Sequence, residues 1–216
     1  MGCKAHRVPD SDSALLDASS SAWTNVPMTA IDLFPAPLPM VEAASPFLAR
    51  SAGHGTLRRI ELAAAHNGRC LAISLRWGCG RHAEIVDLDQ FVDAVAVLFP
   101  MSRTAIAMTM GSAEGPVNGW LWRANRQRPY EIMGTGYAAV RRLDDEAAGD
   151  LTASARHDGS SWHVVFRRGL SGKEGQVSFL PGQDLKIALA AWDGGNAERS
   201  GRKSISGDFT DFSLEA

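Results

Sequence analysis

The chain has 216 residues, 45% of them hydrophobic and 21% charged, with a formal net charge of −2. That length suits one large domain, and the balanced charge offers no basic surplus for nucleic acid or an anionic membrane. No apolar run reaches the roughly 18–20 residues of a bilayer-spanning helix, so a soluble chain is expected. The three cysteines, Cys3, Cys70 and Cys79, form no CxxC or CxxCH step, which argues against a zinc ribbon and against covalently attached haem.

Residues 1–22 are rich in Ser, Asp and Ala without sustained periodicity and read as an N-terminal arm ahead of a domain over 23–216. They contain no apolar run of the kind a secretory signal needs. The stretch from Val26 to Pro46, with Pro27, Pro35, Pro37 and Pro39 inside it, reads as extended chain laid over a surface. Thr56–Ala65 and Arg69–Trp77 flank His66-Asn67-Gly68, a hairpin signal. In the second arm Leu71, Ile73, Leu75 and Trp77 share one face. Period-2 patterning recurs at 91–99, 117–124, 161–170 and 185–192, with a last short strand at Phe209–Leu214. Helical patterns are confined to 142–155 and parts of 86–94. Several strands without a βαβ rhythm predict an all-β fold, a single antiparallel β-sandwich with a few short helices.

Two residues stand out as metal-ligand candidates. Met110 precedes Gly111 in the irregular loop before the strand at 117–124, where packing demand is low and a glycine lets backbone approach a flat ligand. Its thioether is a soft, neutral donor that favours ferrous iron. Lys203 follows the turn Asp193-Gly194-Gly195-Asn196 and the short segment AERSG. An amine ligates iron only when deprotonated, and local context alone does not single this lysine out.

What lifts both is a resemblance running over about residues 20–216. It is carried by Ala22-Trp23 with Val26-Pro27, by HNG followed by LAISLRW, by FVDAVAVLFP, by Met110-Gly111 before PVNGWLWRA, by SWHVVFRRGL and by LAAWDGGNAERSGRKSIS. In order and spacing these pieces resemble the haem b, or γ, subunits of molybdenum enzymes such as ethylbenzene dehydrogenase and dimethyl sulfide dehydrogenase. The resemblance implies one non-covalent haem b, with Met110 at the MG step and Lys203 at the KS step binding its iron from opposite sides. It implies a sandwich similar to carbohydrate-binding modules and no bond chemistry in this chain. The implied partners are a catalytic subunit with molybdopterin guanine dinucleotide, an iron–sulfur subunit and a soluble cytochrome c or similar carrier. It also implies a periplasmic location, with the cytoplasm as the alternative because no export signal is visible. The chain departs from the family at 78–82, where it reads GCGRH in place of an Asp-bearing loop. Met108 and Lys186 are rival ligands, and His157 or His163 would replace Lys203 if it failed.

Other chemistries are weaker. Six tryptophans (Trp23, Trp77, Trp120, Trp122, Trp162 and Trp192) suggest a carbohydrate-binding module without haem, although strand alternation places most of them in a core. Cys79 and His82 could form half of a metal site. Ser204 and Ser206 near Asp208 lack a nucleophile elbow, and GTGYA at 134–138 has too few glycines for a phosphate-binding loop.

Overall fold

A computed structural model of the chain describes residues 2–44, 53–85, 87, 90–144 and 149–216. The N-terminal part forms β1 (Cys3–Arg7), α1 (Asp12–Leu16), β2 (Thr29–Asp32), β3 (Phe34–Pro35) and α2 (Leu38–Ala44). Next come β4 (Arg59–His66), β5 (Cys70–Gly78), β6 (Ala94–Pro100), β7 (Val117–Arg123), β8 (Tyr130–Gly134) and β9 (Val140–Arg142). The strands β10 (Thr152–His157), β11 (Ser161–Gly169), β12 (Asp184–Trp192), β13 (Ser204–Ile205) and β14 (Thr210–Leu214) complete it.

Two sheets pack face to face as a β-sandwich. The first runs β10-β11-β5-β4-β1-β14 and meets β12; the second runs from β12 through β6, β7 and β8 to β9. β12 serves both, because residues 184–187 pair with β14 while 188–192 pair with β6. The later half also pairs with β13, which in turn holds β3. Side-chain alternation divides each strand between two environments. Leu71, Ile73, Leu75 and Trp77 of β5 meet Val95, Val97 and Phe99 of β6 and Ile187, Leu189 and Ala191 of β12 in the shared core. Their neighbours Ala96, Leu98, Ala188 and Ala190 point the other way, onto the outer face of the second sheet. That outer face holds the candidate site.

The hairpin turns where Asn-Gly predicts: Asn67 accepts from the amides of Arg69 and Cys70. The strands expected at 91–99, 117–124, 161–170, 185–192 and 209–214 all form, with ends shifted by up to three residues. Within its described residues the proline-rich segment supplies only the short strands β2 and β3 and the short helix α2, as its missing amides dictate.

Two expectations fail. Residues 1–22 are not an arm outside the core. β1 lies between β4 and β14, parallel to both, with Ala5 opposite Ala64 and Cys3 opposite Phe212. Cys3 and Ala5 join the shared core, and Leu15 and Ala22 cover the outer face of the first sheet. The sequence conceals this because a five-residue strand of small and polar residues shows no apolar run. Nor is 142–155 helical where it is described: β9 ends at Arg142 and β10 begins at Thr152. Its Ala- and acid-rich composition favours a helix, but antiparallel pairing of β10 with β11 overrides that propensity. Residues 145–148 lie outside the described residues, as do 86, 88 and 89 of the second helical candidate, whose remaining residues form no helix.

Candidate functional site

Lys203 is delivered by a turn that the sequence specifies closely. After β12, Asp193 accepts from the Asn196 amide and caps a single 3-10 turn over Gly194–Asn196. A Cβ at Gly194 would fall 2.3 Å from the Phe91 carbonyl oxygen, so only glycine fits there. The buried Glu198 carboxylate accepts from the amides of Gly55, Thr56 and Asp193 and ties the turn to the start of β4's approach. The chain then folds back so that Ala190 faces Ile205 and Ala191 faces Ser204. Ile205 belongs to the cluster on the outer face, and Lys203, two residues earlier, lies on the same side.

There the Lys203 side chain is 7% exposed. Among the described residues its ammonium has no hydrogen bond and no counter-charge, and it sits over the Trp192 ring, 5.2 Å from Nζ to centroid. Burial alone lowers its pKa to about 8. An unpaired buried lysine costs stability, which makes it a candidate functional residue.

Met110 comes from the loop between β6 and β7. A 3-10 turn over Ala107–Thr109 ends on Met110 itself, with φ 59° and ψ 34° in the left-handed region. Gly111 follows at φ +81°, where a Cβ would sit 2.7 Å from both the Gly115 and Gly134 carbonyl oxygens. A non-glycine residue in this conformation is strained and is held there by its surroundings. The loop is not loosely packed, as the sequence suggests: Met110 is buried among Leu98, Ala107, Val117 and Ala188. Asp208, in the segment after Lys203, accepts from the Ala107 amide at 3.0 Å and so links the segments that carry the two candidate residues.

Met110 and Lys203 line one cavity on the outer face, together with Met40, Met108, Leu98 and Ile205. Its volume is about 10 Å³, room for roughly one water. The donor set suits a haem iron: a methionine and a desolvated lysine line the same space, over a sheet face paved with Ala96, Ala188 and Ala190. A macrocycle requires more room than this. The wall on that side is α2, of whose described side chains only Met40 reaches the sheet.

Met108, a rival in the sequence, lines the same cavity. Lys186 does not; it is exposed on β12 and pairs with Asp211 at 3.9 Å. His163 bonds the Ser74 hydroxyl and His157 the Cys79 carbonyl, both away from the cavity. Burial, with Asp93 beside it, pushes the Cys79 thiol pKa up to about 12, and no three potential metal ligands converge among the described residues. Trp77, Trp120, Trp122 and Trp162 are buried in the core, and Trp23 and Trp192 are half-buried. Sequence reasoning missed Met40 and Trp192 as site residues. Neither has a local signal, because α2 and the return of β13 create their placement.

The ethylbenzene dehydrogenase family matches over residues 20–149 and 139–204. A proposed respiratory nitrate reductase heme subunit from Haloferax mediterranei is 32% identical over 191 residues, 87% of this chain and 64% of that protein. This chain therefore spans just under two thirds of that relative. The gamma subunit of chlorate reductase from Ideonella dechloratans is 32% identical over 88% of this chain and 77% of its own length. Among solved structures, a proposed carbohydrate-binding protein from Bacteroides uniformis superposes with a TM-score of 0.62 at 11% identity, over the whole of both chains. That likeness establishes the sandwich fold alone.

Proposed function

This chain belongs to the ethylbenzene dehydrogenase family, as a gamma-like subunit of type II dimethyl sulfoxide reductase-family enzymes, and from that premise we propose that it binds one haem b non-covalently and transfers electrons. Met110 and Lys203 would hold its iron. One observation supports this reading above the rest: a buried lysine without a counter-charge among the described residues shares a cavity with a methionine held in a strained turn.

Bound there, the haem supplies a one-electron carrier alternating between ferric and ferrous iron. Met110 offers a neutral thioether that favours the ferrous state and raises the potential. Lys203 offers its amine after losing a proton, a loss already eased by its burial. The alanines of β6 and β12 keep water away and permit close approach of a flat ligand, while the Trp192 ring faces the lysine.

In this reading the chain performs no bond chemistry. It passes electrons between an iron–sulfur subunit and a soluble cytochrome c or similar carrier, in a complex whose molybdopterin guanine dinucleotide subunit acts on substrate. The periplasm is the proposed location. A sugar-binding role has no support in the site, since none of the tryptophans offers an exposed ring for stacking.

Titration of the full chain with haem tests the reading. Uptake should saturate at one equivalent and give a reducible low-spin spectrum that acid–organic extraction removes completely. Saturation at no defined stoichiometry, or a haem that resists extraction, would count against it.

A further inference from the structure

The turn Gly134-Thr135-Gly136-Tyr137, which carries no phosphate-binding pattern, packs against the backbone of the methionine step. The Gly136 amide donates to the Met110 carbonyl at 3.0 Å. The Tyr137 hydroxyl donates to the Met108 carbonyl, and its ring packs on the cluster that contains Met110. A Cβ at Gly134 would lie 2.6 Å from the Met110 carbonyl oxygen, so the two backbones interlock. The turn is itself braced: the Thr135 amide donates to the Ala139 carbonyl and the Ala139 amide to the Gly136 carbonyl, each at 3.0 Å.

We propose that Tyr137 is a positioning residue for the methionine ligand: through the Met108 carbonyl it holds the Ala107–Thr109 turn, and so keeps Met110 in its left-handed conformation with the thioether directed into the cavity. The inference rests on the haem reading above for its redox consequence, though not for the clamp itself. A methionine at φ 59° tends to relax toward ordinary dihedrals. Its own turn resists through the Met110 amide to Ala107 and the Gly111 amide to Ile106, both at 3.0 Å. Tyr137 and Gly136 supply the restraint from outside that turn. Its hydroxyl is partly desolvated, which weakens competition from water for the hydrogen bond to Met108. A thioether is a weak ligand whose bond to iron depends on such preorganisation.

The test is Tyr137→Phe in the full chain, which keeps the ring and removes only the donor. Without haem, amide hydrogen exchange at Met110, Gly111 and Gly136 should quicken roughly five- to tenfold, as expected for loss of one hydrogen bond. Amides of β5 and β11 should stay unchanged. With haem, the near-infrared charge-transfer band of ferric methionine ligation should weaken and the potential should fall, while haem stoichiometry stays at one. Tyr137→Trp, which fills the space without restoring that geometry, should behave like Tyr137→Phe. Unchanged exchange at those three amides overturns the clamp whether or not haem binds. Altered exchange with unchanged ligation and potential overturns its positioning role. If the wild-type chain takes up no haem, the haem reading fails and the exchange result alone decides the clamp.

Discussion

Lys203 is a liability to the fold that its proposed role explains. Its pKa falls from an ordinary 10.5 to about 8 with burial as the cause, a difference equivalent to roughly 3 kcal/mol. Between those values the unfolded chain binds more protons than the folded one, so stability rises with pH from about 8 toward 10.5 and is lowest below 8. Lys203→Met should therefore make the haem-free chain more stable at pH 7, by up to about 3 kcal/mol, and remove most of that rise. Urea unfolding of both proteins at pH 7 and pH 10 checks it. A variant less stable than the parent at pH 7 would show that the ammonium has a favourable partner after all. In the sequence this lysine is one of several, singled out only by the KS step after the WDG turn. Its isolation becomes visible once β13 pairs back onto β12. Met110 is legible as a methionine before a glycine; its left-handed backbone is not.

At the scale of elements, alternation revealed the strands whose two faces differ most. β5 and β12 are read from sequence almost to their ends, because each alternates between the shared core and an outer face. β1 escapes that logic: its buried positions are Cys3 and Ala5, and its polar residues sit at sheet registers that only β4 and β14 define. Its contribution is measurable. Removing residues 2–8 leaves facing edges on β4 and β14 unpaired, strips two side chains from the core and deletes the Lys4 and Arg7 contacts to Glu215. The shortened chain should lose on the order of 3–5 kcal/mol, from apolar burial and unreplaced hydrogen bonds together. Guanidinium unfolding of the two forms measures the difference; a loss below 1 kcal/mol would mean the two edges close on each other without β1. α2 is likewise absent from any sequence pattern, since Pro39 sits in its first turn and it covers the site through Met40 alone among its described side chains.

The whole molecule sets the proposed haem site on the outside of a sandwich whose interior is already filled. Phe99, Trp120, Phe166 and Phe179 pack edge to face or tilted in that interior, and the Arg168–Glu131 pair at 2.7 Å spans it. No cofactor could enter there without dismantling it. The outer face, by contrast, is covered by short segments, and Phe34 of β3 and Leu38 at the start of α2 are exposed. If the chain serves as an electron-transfer subunit, mild purification from its source should recover it with larger molybdenum- and iron–sulfur-bearing chains, in an interface burying more than about 1,000 Å². Recovery only as a monomer would remove the proposed role in a complex while leaving the haem site to be judged on its own.

Axial ligation decides that site. The haem-loaded chain and its Met110→Ala and Lys203→Ala variants should be compared by near-infrared magnetic circular dichroism and redox titration. The account predicts a six-coordinate low-spin iron in the parent. Met110→Ala should lose the thioether charge-transfer band and lower the potential, and Lys203→Ala should give a pH-dependent mixture as water competes for the vacated position. Both variants retaining the parent's low-spin spectrum and potential would contradict the assignment of Met110 and Lys203 as the iron's ligands.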